Sequence, residues 1–468
     1  MEIRSKEFKE RAVYAIHDAS LQQALGKARG GFVGKRAQQA AELPEFEQLR
    51  EEAKNTKNHI LDNLDHYLER YEAAVTAAGG HVHWARDAEE ARKIILDICQ
   101  RVDAKTVTKG KSMVSEEIGL NEALIEHGME VVETDLGEYI IQLAHEPPSH
   151  IIAPAVHKTK DQVSDLFEAA HGGPRKTEVP DLVNEARMVL RDKYFRADVG
   201  ITGGNFLVAE TGSSIIVTNE GNGDLTQTLA KVHIVTSGIE RVVPTLDDAT
   251  LFLRLLARSA TGQETETYTT ISTGPRRAED LDGPEEYHVV LVDNGRSKML
   301  AGRFKDMLRC IRCGACMNHC PVYGAVGGHA YGWVYPGPMG SVLTPLIKGL
   351  DNAYDLPNAC TLNGRCASVC PVKIPLPDLL RELRHMQHQQ DITPALQKRA
   401  LKVWRYVATR PKLYHALEQV GARFLSAIAR NGSIRRLPLA SGWTDVRDLP
   451  APAGRTFLEL WQGKRGQK

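Results

Sequence analysis

The first 75 residues carry apolar positions at helical spacing, through FKERAVYAIHDASLQQAL and again through HILDNLDHYLERYEAAV, with many charges between them. This predicts an amphipathic helical arm that packs on its own chain or on a partner. From about residue 80 the pattern changes to short apolar runs alternating with helical stretches. GGHVHW reads as turn and strand before the helix DAEEARKIILDICQRV, and TVTKGKS leads into SEEIGLNEALIEHG. MEVVETD then leads into GEYIIQLA, and the apolar run HIIAPA precedes TKDQVSDLFEAA. Such alternation predicts βαβ units and a parallel sheet. Gly200, Gly203 and Gly204 (GITGGN) read as a turn ahead of a strand. The runs FLVAET, SSIIVTNE, KVHIVTSG and YHVVLVD complete a mixed sheet ending near residue 295.

Beyond residue 296 the texture shifts again. RSKMLAGRFKDMLRC reads as a helix, and the Gly-, Pro- and aromatic-rich stretch 324–349 as a folded loop. A helical pattern resumes from about 376 to 430, followed by a mostly irregular tail over 437–468. Four segments result: an arm over 1–75, an α/β domain over 76–295, a cysteine-bearing module over 296–385 and a C-terminal region over 386–468. A chain of 468 residues is too long for one ordinary core. No apolar run approaches the ~18 residues needed to cross a bilayer. The charged N-terminus, MEIRSKEFKERAVYAI, does not resemble a signal peptide. A cytoplasmic protein is expected. Lys+Arg and Asp+Glu balance at 59 each, so net charge gives no reason to expect a nucleic-acid partner.

The cysteines change the picture. Of eight, seven fall between Cys310 and Cys370. Cys99 stands apart at the end of a helical pattern and reads as a small buried thiol. In a reducing compartment, clustered thiols indicate metal or redox chemistry rather than disulfides. The run Cys310-x2-Cys313-x2-Cys316-x3-Cys320-Pro321 has bacterial-ferredoxin spacing for a [4Fe–4S] cluster. Three thiolates on a tight loop reach three corners of one cube, and the fourth ligates a neighbouring cluster. A zinc knuckle would usually pair two well-separated C-x2-C units instead. The second group is Cys360-x5-Cys366-x3-Cys370-Pro371, with Asn363 where the template has a cysteine. By the crossed-ligand rule, Cys310, Cys313, Cys316 and Cys370 hold the first cluster. Cys320, Cys360 and Cys366 hold the second, which is one thiolate short: either [3Fe–4S], or [4Fe–4S] with a non-cysteine fourth ligand. His319 and Arg312, beside ligands, are candidates for tuning.

The α/β domain shows no GxGxxG after a strand, no P-loop and no GxSxG. Lys109, Lys111 and Ser112 are candidates to meet a phosphate or carboxylate, and the turn at Gly200, Gly203 and Gly204 to hold an anion. Glu210, Asn219 and Glu220 are candidates to line a pocket. A purely structural role stays open for each. His145, His150 and His157 are not at metal-ligand helical spacing. Segment 397–436 has ten Lys or Arg and one acid, Glu418, and its helical pattern also contains Trp404, Tyr406, Tyr414 and Phe424. It reads either as a solvated face or as a docking surface for an acidic partner or an anionic membrane.

The 39 residues between Cys320 and Cys360 resemble the helical ferredoxin modules of succinate dehydrogenase and heterodisulfide reductase iron–sulfur subunits. More broadly, the chain resembles the lactate-utilisation iron–sulfur protein B family. The likeness is carried by KGKSM, VVETDLGEYIIQLAHEPPSHIIAPAVHK, GITGGNFLVAETGSSIIVTNEGN, IERVVPTLDD, RCIRCGACMNHCPVY, NGRCASVCPVKIPL and WTDVRDLPAPAGRTFLELW. It implies a Rossmann-like α/β domain related to sugar-phosphate isomerases and CoA transferases, then a mainly helical ferredoxin module and a helical C-terminal region. It also implies a non-catalytic electron-transfer subunit of a three-protein complex oxidising L-lactate to pyruvate. Its partners would be the other lactate-utilisation subunits and a flavin- or cluster-containing donor or acceptor. Two alternatives stand beside this: a carrier for another 2-hydroxy acid, and a transferase-like α/β enzyme with structural clusters.

Overall fold

A computed structural model of the chain describes residues 3–438 and 440–465. The chain divides into two compact units at Met386/Gln387.

In the first unit the arm is four helices, Phe8–His17, Ala19–Ala41, Phe46–Asp62 and Leu64–Ala77. Asp18 caps the second by accepting from the Leu21 N–H at 3.0 Å. Ten strands follow: β1 His81–Ala85, β2 Thr106–Lys109, β3 Glu130–Glu133, β4 Val199–Gly203, β5 Phe206–Val208, β6 Ser213–Thr218, β7 Val232–Gly238, β8 Val242–Val243, β9 Tyr268–Ser272 and β10 Glu286–Val292. Six of them form one sheet in the order β1-β10-β7-β4-β2-β3, every pair parallel. The other four form a separate small sheet, β8-β5-β6-β9. The single mixed sheet expected from the pattern is therefore two sheets. Helices such as Ala88–Arg101, with Ile95, Ile98 and Cys99 buried, cover the parallel sheet, as crossover connections require. Cys99 is fully buried, and burial pushes its thiol up to about 12.

Three local readings differ from the structure. Residues 148–157, including HIIAPA, form bends and turns rather than a strand. Val199–Gly203 is a strand near the middle of the sheet, not a turn. Its Gly200 has no room for a side chain, since a Cβ would sit 1.9 Å from the carbonyl oxygen of Thr226 on the helix Asn222–Leu229. The stretch 324–349 contains a full helix, Gly337–Lys348, entered through Pro338 and almost wholly buried. The helix Val179–Arg196 has no counterpart in the pattern reading.

The arm, the small sheet and the cysteine module share one continuous core. It runs from Phe46 and Ile60 through Phe206 and Phe252 to Tyr331 and Leu380. The arm thus packs on its own chain.

The second unit contains the helices Ala395–Ala408 and Pro411–Ile428, which pack on each other. A short strand pair, Ser433–Ile434 with Leu449–Pro450, and the helix Phe457–Arg465 follow. The tail is more regular than expected; residues 439 and 466–468 of that reading lie outside the described residues. Among the described residues no helix is long and apolar enough to cross a membrane.

Candidate metal centre

The first cysteine loop is shaped by two residues in left-handed backbone, Arg312 at φ 60° and Gly314 at φ 73°. Gly314 is needed twice over: a Cβ there would also press on Ile152 Cγ1 at 3.2 Å and His150 Cε1 at 3.3 Å. The second loop repeats this backbone, with Leu362 at φ 55° and Gly364 at φ 81°. Short helices, Ala315–Asn318 and Arg365–Val369, follow the two loops and pack together.

The sulfurs fall into two neighbouring groups. Cys310, Cys313, Cys316 and Cys370 line one small cavity walled by Ile151, Ile311, Met339, Val372, Ile374 and Leu376. Cys320, Cys360 and Cys366 form the other, where Cys360 acts on the ionisation of both Cys320 and Cys366. Cys316 and Cys366 are in electrostatic reach across the two groups. Backbone N–H groups point at four sulfurs: Arg312 at Cys310 (3.4 Å), Tyr323 at Cys320 (3.5 Å), Leu362 at Cys360 (3.3 Å) and Ile374 at Cys370 (3.4 Å). Tyr331 lies near Cys320 and acts to lower its thiol against the effect of burial.

Burial, and then neighbouring cysteines, push the Cys313 and Cys366 thiols up to about 12. The same causes move Cys316 upward. Thiolates gathered in so apolar a place are costly unless a bound cation shares their charge. The spacing bears on which one. A tetrahedral zinc with Zn–S near 2.3 Å would hold its sulfurs roughly 3.8 Å apart. Among the described residues no three cysteine sulfurs lie within 4.8 Å of one another. Wider separation, N–H···S contacts and an apolar wall fit iron–sulfur clusters.

The arm supplies residues to this region that sequence reading missed. Arg50 donates to the Cys370 carbonyl at 2.8 and 3.1 Å and to the Ser368 carbonyl at 2.8 Å. Arg36 donates to the Val369 carbonyl at 2.9 Å. These partners lie more than 300 residues apart in sequence, so no local signal marks them. His319 and Arg312 are both buried. His319 Nδ1 donates to the Ala315 carbonyl at 2.9 Å. Arg312 lies over the Tyr335 ring at 4.4 Å and pairs with Glu240 at 3.6 Å.

The remaining candidates separate cleanly. Lys111, Ser112, Gly203, Gly204, Asn219 and Glu220 line one cavity of about 240 Å³. Lys109 turns away into ion pairs with Glu116 and Glu133, and exposed Glu210 accepts from the Leu246 N–H at 3.3 Å. His150 is a satisfied core histidine: its Nδ1 accepts from the Ile152 and Ala153 N–H groups at 3.0 and 3.1 Å, and its Nε2 meets Asn318 Oδ1 at 2.9 Å. His157 meets Glu146 at 2.7 Å, and His329 joins them within 4.8 Å.

A LUD domain model matches residues 68–292, and a 4Fe-4S dicluster domain model matches 306–374, which encloses all seven clustered cysteines. A model of the lactate utilisation protein B C-terminal region matches 380–466. Lactate utilization protein B of Bacillus licheniformis is 44% identical, with 100% of this chain and 99% of that protein covered. The chain belongs to the lactate utilisation protein B family. The protein of that name from Lysinibacillus sphaericus is also 44% identical, over 98% of this chain and 97% of its own. The electron transport protein YkgF of Escherichia coli K12 is 43% identical, over 99% of this chain and 98% of its own. A crystal structure of a DUF162 family protein from Deinococcus radiodurans aligns over 49% of this chain and 98% of its own. At TM-score 0.29 and 13% identity that likeness is too weak to define the fold. As a lactate utilisation protein B family member with a dicluster domain, the chain is an iron–sulfur protein with a role in lactate utilisation.

Proposed function

We propose that the chain is the electron-transfer subunit of a complex that oxidises L-lactate to pyruvate, and that it contributes no catalytic side chain. Cys310, Cys313, Cys316 and Cys370 hold a [4Fe–4S] cluster, and Cys320, Cys360 and Cys366 hold a second. The observation that supports this most is the gathering of these cysteines into two adjacent groups, each drawing on both cysteine-bearing segments. Bound there, the clusters supply one-electron transfer. The chain's own residues govern it: apolar walls exclude water, and N–H donors stabilise charge on sulfur. Arg36, Arg50 and Arg312 offset the negative charge of the centre around Cys310. The segments 1–75, 76–295, 296–385 and 386–468 are its functional divisions, with 296–385 as the relay.

The test is rapid anaerobic mixing of the cluster-loaded chain with L-lactate, with and without the other lactate-utilisation subunits. Cluster reduction is expected only with the partners present, at a rate no slower than lactate turnover. Clusters that stay oxidised during turnover would reject the relay.

Docking falls to the second unit in this reading. The helices Ala395–Ala408 and Pro411–Ile428 contain no buried residue, and Leu401, Trp404, Tyr406 and Phe424 are exposed beside the basic side chains. The occupant is an acidic face of a flavin- or cluster-bearing partner subunit. Reversing Arg399, Lys402 and Arg405 to Glu is expected to weaken that association about tenfold at low salt and less at high salt, because screening shortens the reach of exposed charges. Binding assays with the partner subunits check this. Equal loss of binding to anionic vesicles would assign the face to the membrane surface instead.

A further inference from the structure

The cavity of about 240 Å³ in the α/β domain lies where an open parallel sheet places ligands. Its floor includes Gly110 and Lys111, which follow β2, and Thr202, Gly203 and Gly204 at the end of β4. β2 and β4 are neighbours whose chains leave in opposite directions, one to β3 and the other toward β7. The crevice is therefore a topological switch point, open at the carboxyl ends of the strands. Asn222 and Gly223, the first residues of the helix Asn222–Leu229, also line it.

Arg241 stands out among the side chains that line this cavity. Arg241 is only 7% exposed, yet among the described residues its guanidinium makes no hydrogen bond, ion pair or ring contact, and Glu240 and Cys310 act on it only electrostatically. The adjacent carboxylate is already taken: Glu240 pairs with Arg296 at 2.7 Å and with Arg312 at 3.6 Å. A guanidinium carries five donors, and where no protein acceptor meets them they are left to whatever enters the cavity. Such a group is stable when an anion comes to it. The cavity also has a polar, acid-bearing side at Asn219, Glu220 and Gln263, suited to hydroxyl or amide groups.

We propose that this cavity binds a small organic oxyanion, a carboxylate or phosphate ester, with its acid group on Arg241. Arg312 and Ile151 line both this cavity and the one that holds Cys310, Cys313, Cys316 and Cys370. A bound anion therefore adds negative charge beside the Cys310 group and disfavours its reduction. By linkage, the oxidised protein binds the anion more tightly than the reduced protein, by the same factor that the anion shifts reduction. The binding half of this proposal is independent of the electron-relay reading, because it is measured on the chain without partners.

The experiment is calorimetric titration of the cluster-loaded full chain, kept anaerobic, with inorganic phosphate, flavin mononucleotide and L-lactate as probes. Single-site binding of one of them is expected, with affinity at least tenfold lower in Arg241→Gln, partly restored in Arg241→Lys, and severalfold weaker after dithionite reduction. Preference for the flavin nucleotide or phosphate assigns a phosphate ester, and preference for lactate a carboxylate. Absence of binding by all three probes, or binding untouched by Arg241→Gln, overturns the site. If Arg241→Gln instead loses iron, Lys111→Met decides. Weakened binding at full iron content supports the cavity, whereas unchanged binding leaves Arg241 as a counter-charge to the cluster and overturns the proposal.

Discussion

Replacing Cys313 by serine is expected to remove about half of the bound iron and to abolish electron transfer. Cys313 is 8% exposed, and its sulfur lies in electrostatic reach of Cys310 and Cys370. A hydroxyl is a poor ligand for a soft iron–sulfur centre. Without the cluster, the apolar cavity bounded by Ile151, Ile311, Met339, Val372, Ile374 and Leu376 is left around unligated sulfurs. Arg312 would then hold its left-handed φ of 60° without the ligation that justifies it. The first unit shares one core with this module, so its melting temperature should fall as well. A loss of several kcal/mol of binding free energy corresponds to on the order of 5–10 °C. Iron per chain and the thermal transition check both effects. Full iron content in Cys313→Ser would reject the ligand assignment.

The second expectation concerns Asn363. Its loop copies the first so closely that Asn363 stands where Cys313 stands. Arg312 and Leu362 share left-handed backbone, and their N–H groups donate to the sulfurs of Cys310 and Cys360 at 3.4 and 3.3 Å. The Ala315 N–H interacts with the Cys313 sulfur, and the Arg365 N–H donates to Asn363 Oδ1 at 2.9 Å. The amide oxygen thus occupies the hydrogen-bonding role of the missing thiolate while facing solvent. Asn is a weak ligand to iron in a sulfur environment. On exposure to air, the centre held by Cys320, Cys360 and Cys366 should lose one iron and show the paramagnetic signal of an oxidised [3Fe–4S] cluster. The centre at Cys310 should remain [4Fe–4S]. Asn363→Cys should suppress that signal almost completely, because the backbone already presents the position and no loop movement is required. Electron paramagnetic resonance on anaerobic and air-treated samples checks this. A stable [4Fe–4S] signal in both, indifferent to the substitution, would mean that another group fills the fourth place.

The cysteine chemistry was legible because its information is local. Spacings of two and three residues around Cys310–Cys320 and Cys366–Cys370 determine which sulfurs a short loop can turn together, and Asn363 announces its departure in the same register. The alternation from residue 80 to 143 announced parallel strands for a similar reason, since the period of apolar positions is a property of each segment alone. Glycine misled the reading where burial overrode propensity. Gly200 suggested a turn but serves close helix packing within β4, and Gly337 and Gly340 suggested a loop within what is a buried helix. What only the tertiary structure decided depends on residues far apart in sequence. It brought Arg36 and Arg50 of the arm to the carbonyls beside Cys370. It split the strands into two sheets and turned Lys109 away from the cavity that Lys111 enters. It also left Arg241 buried without an ion pair, while the neighbouring Glu240 is engaged by two other arginines. A lone arginine in a sequence carries no sign of whether its charge will be matched, since that depends on which distant chain segments the fold packs around it.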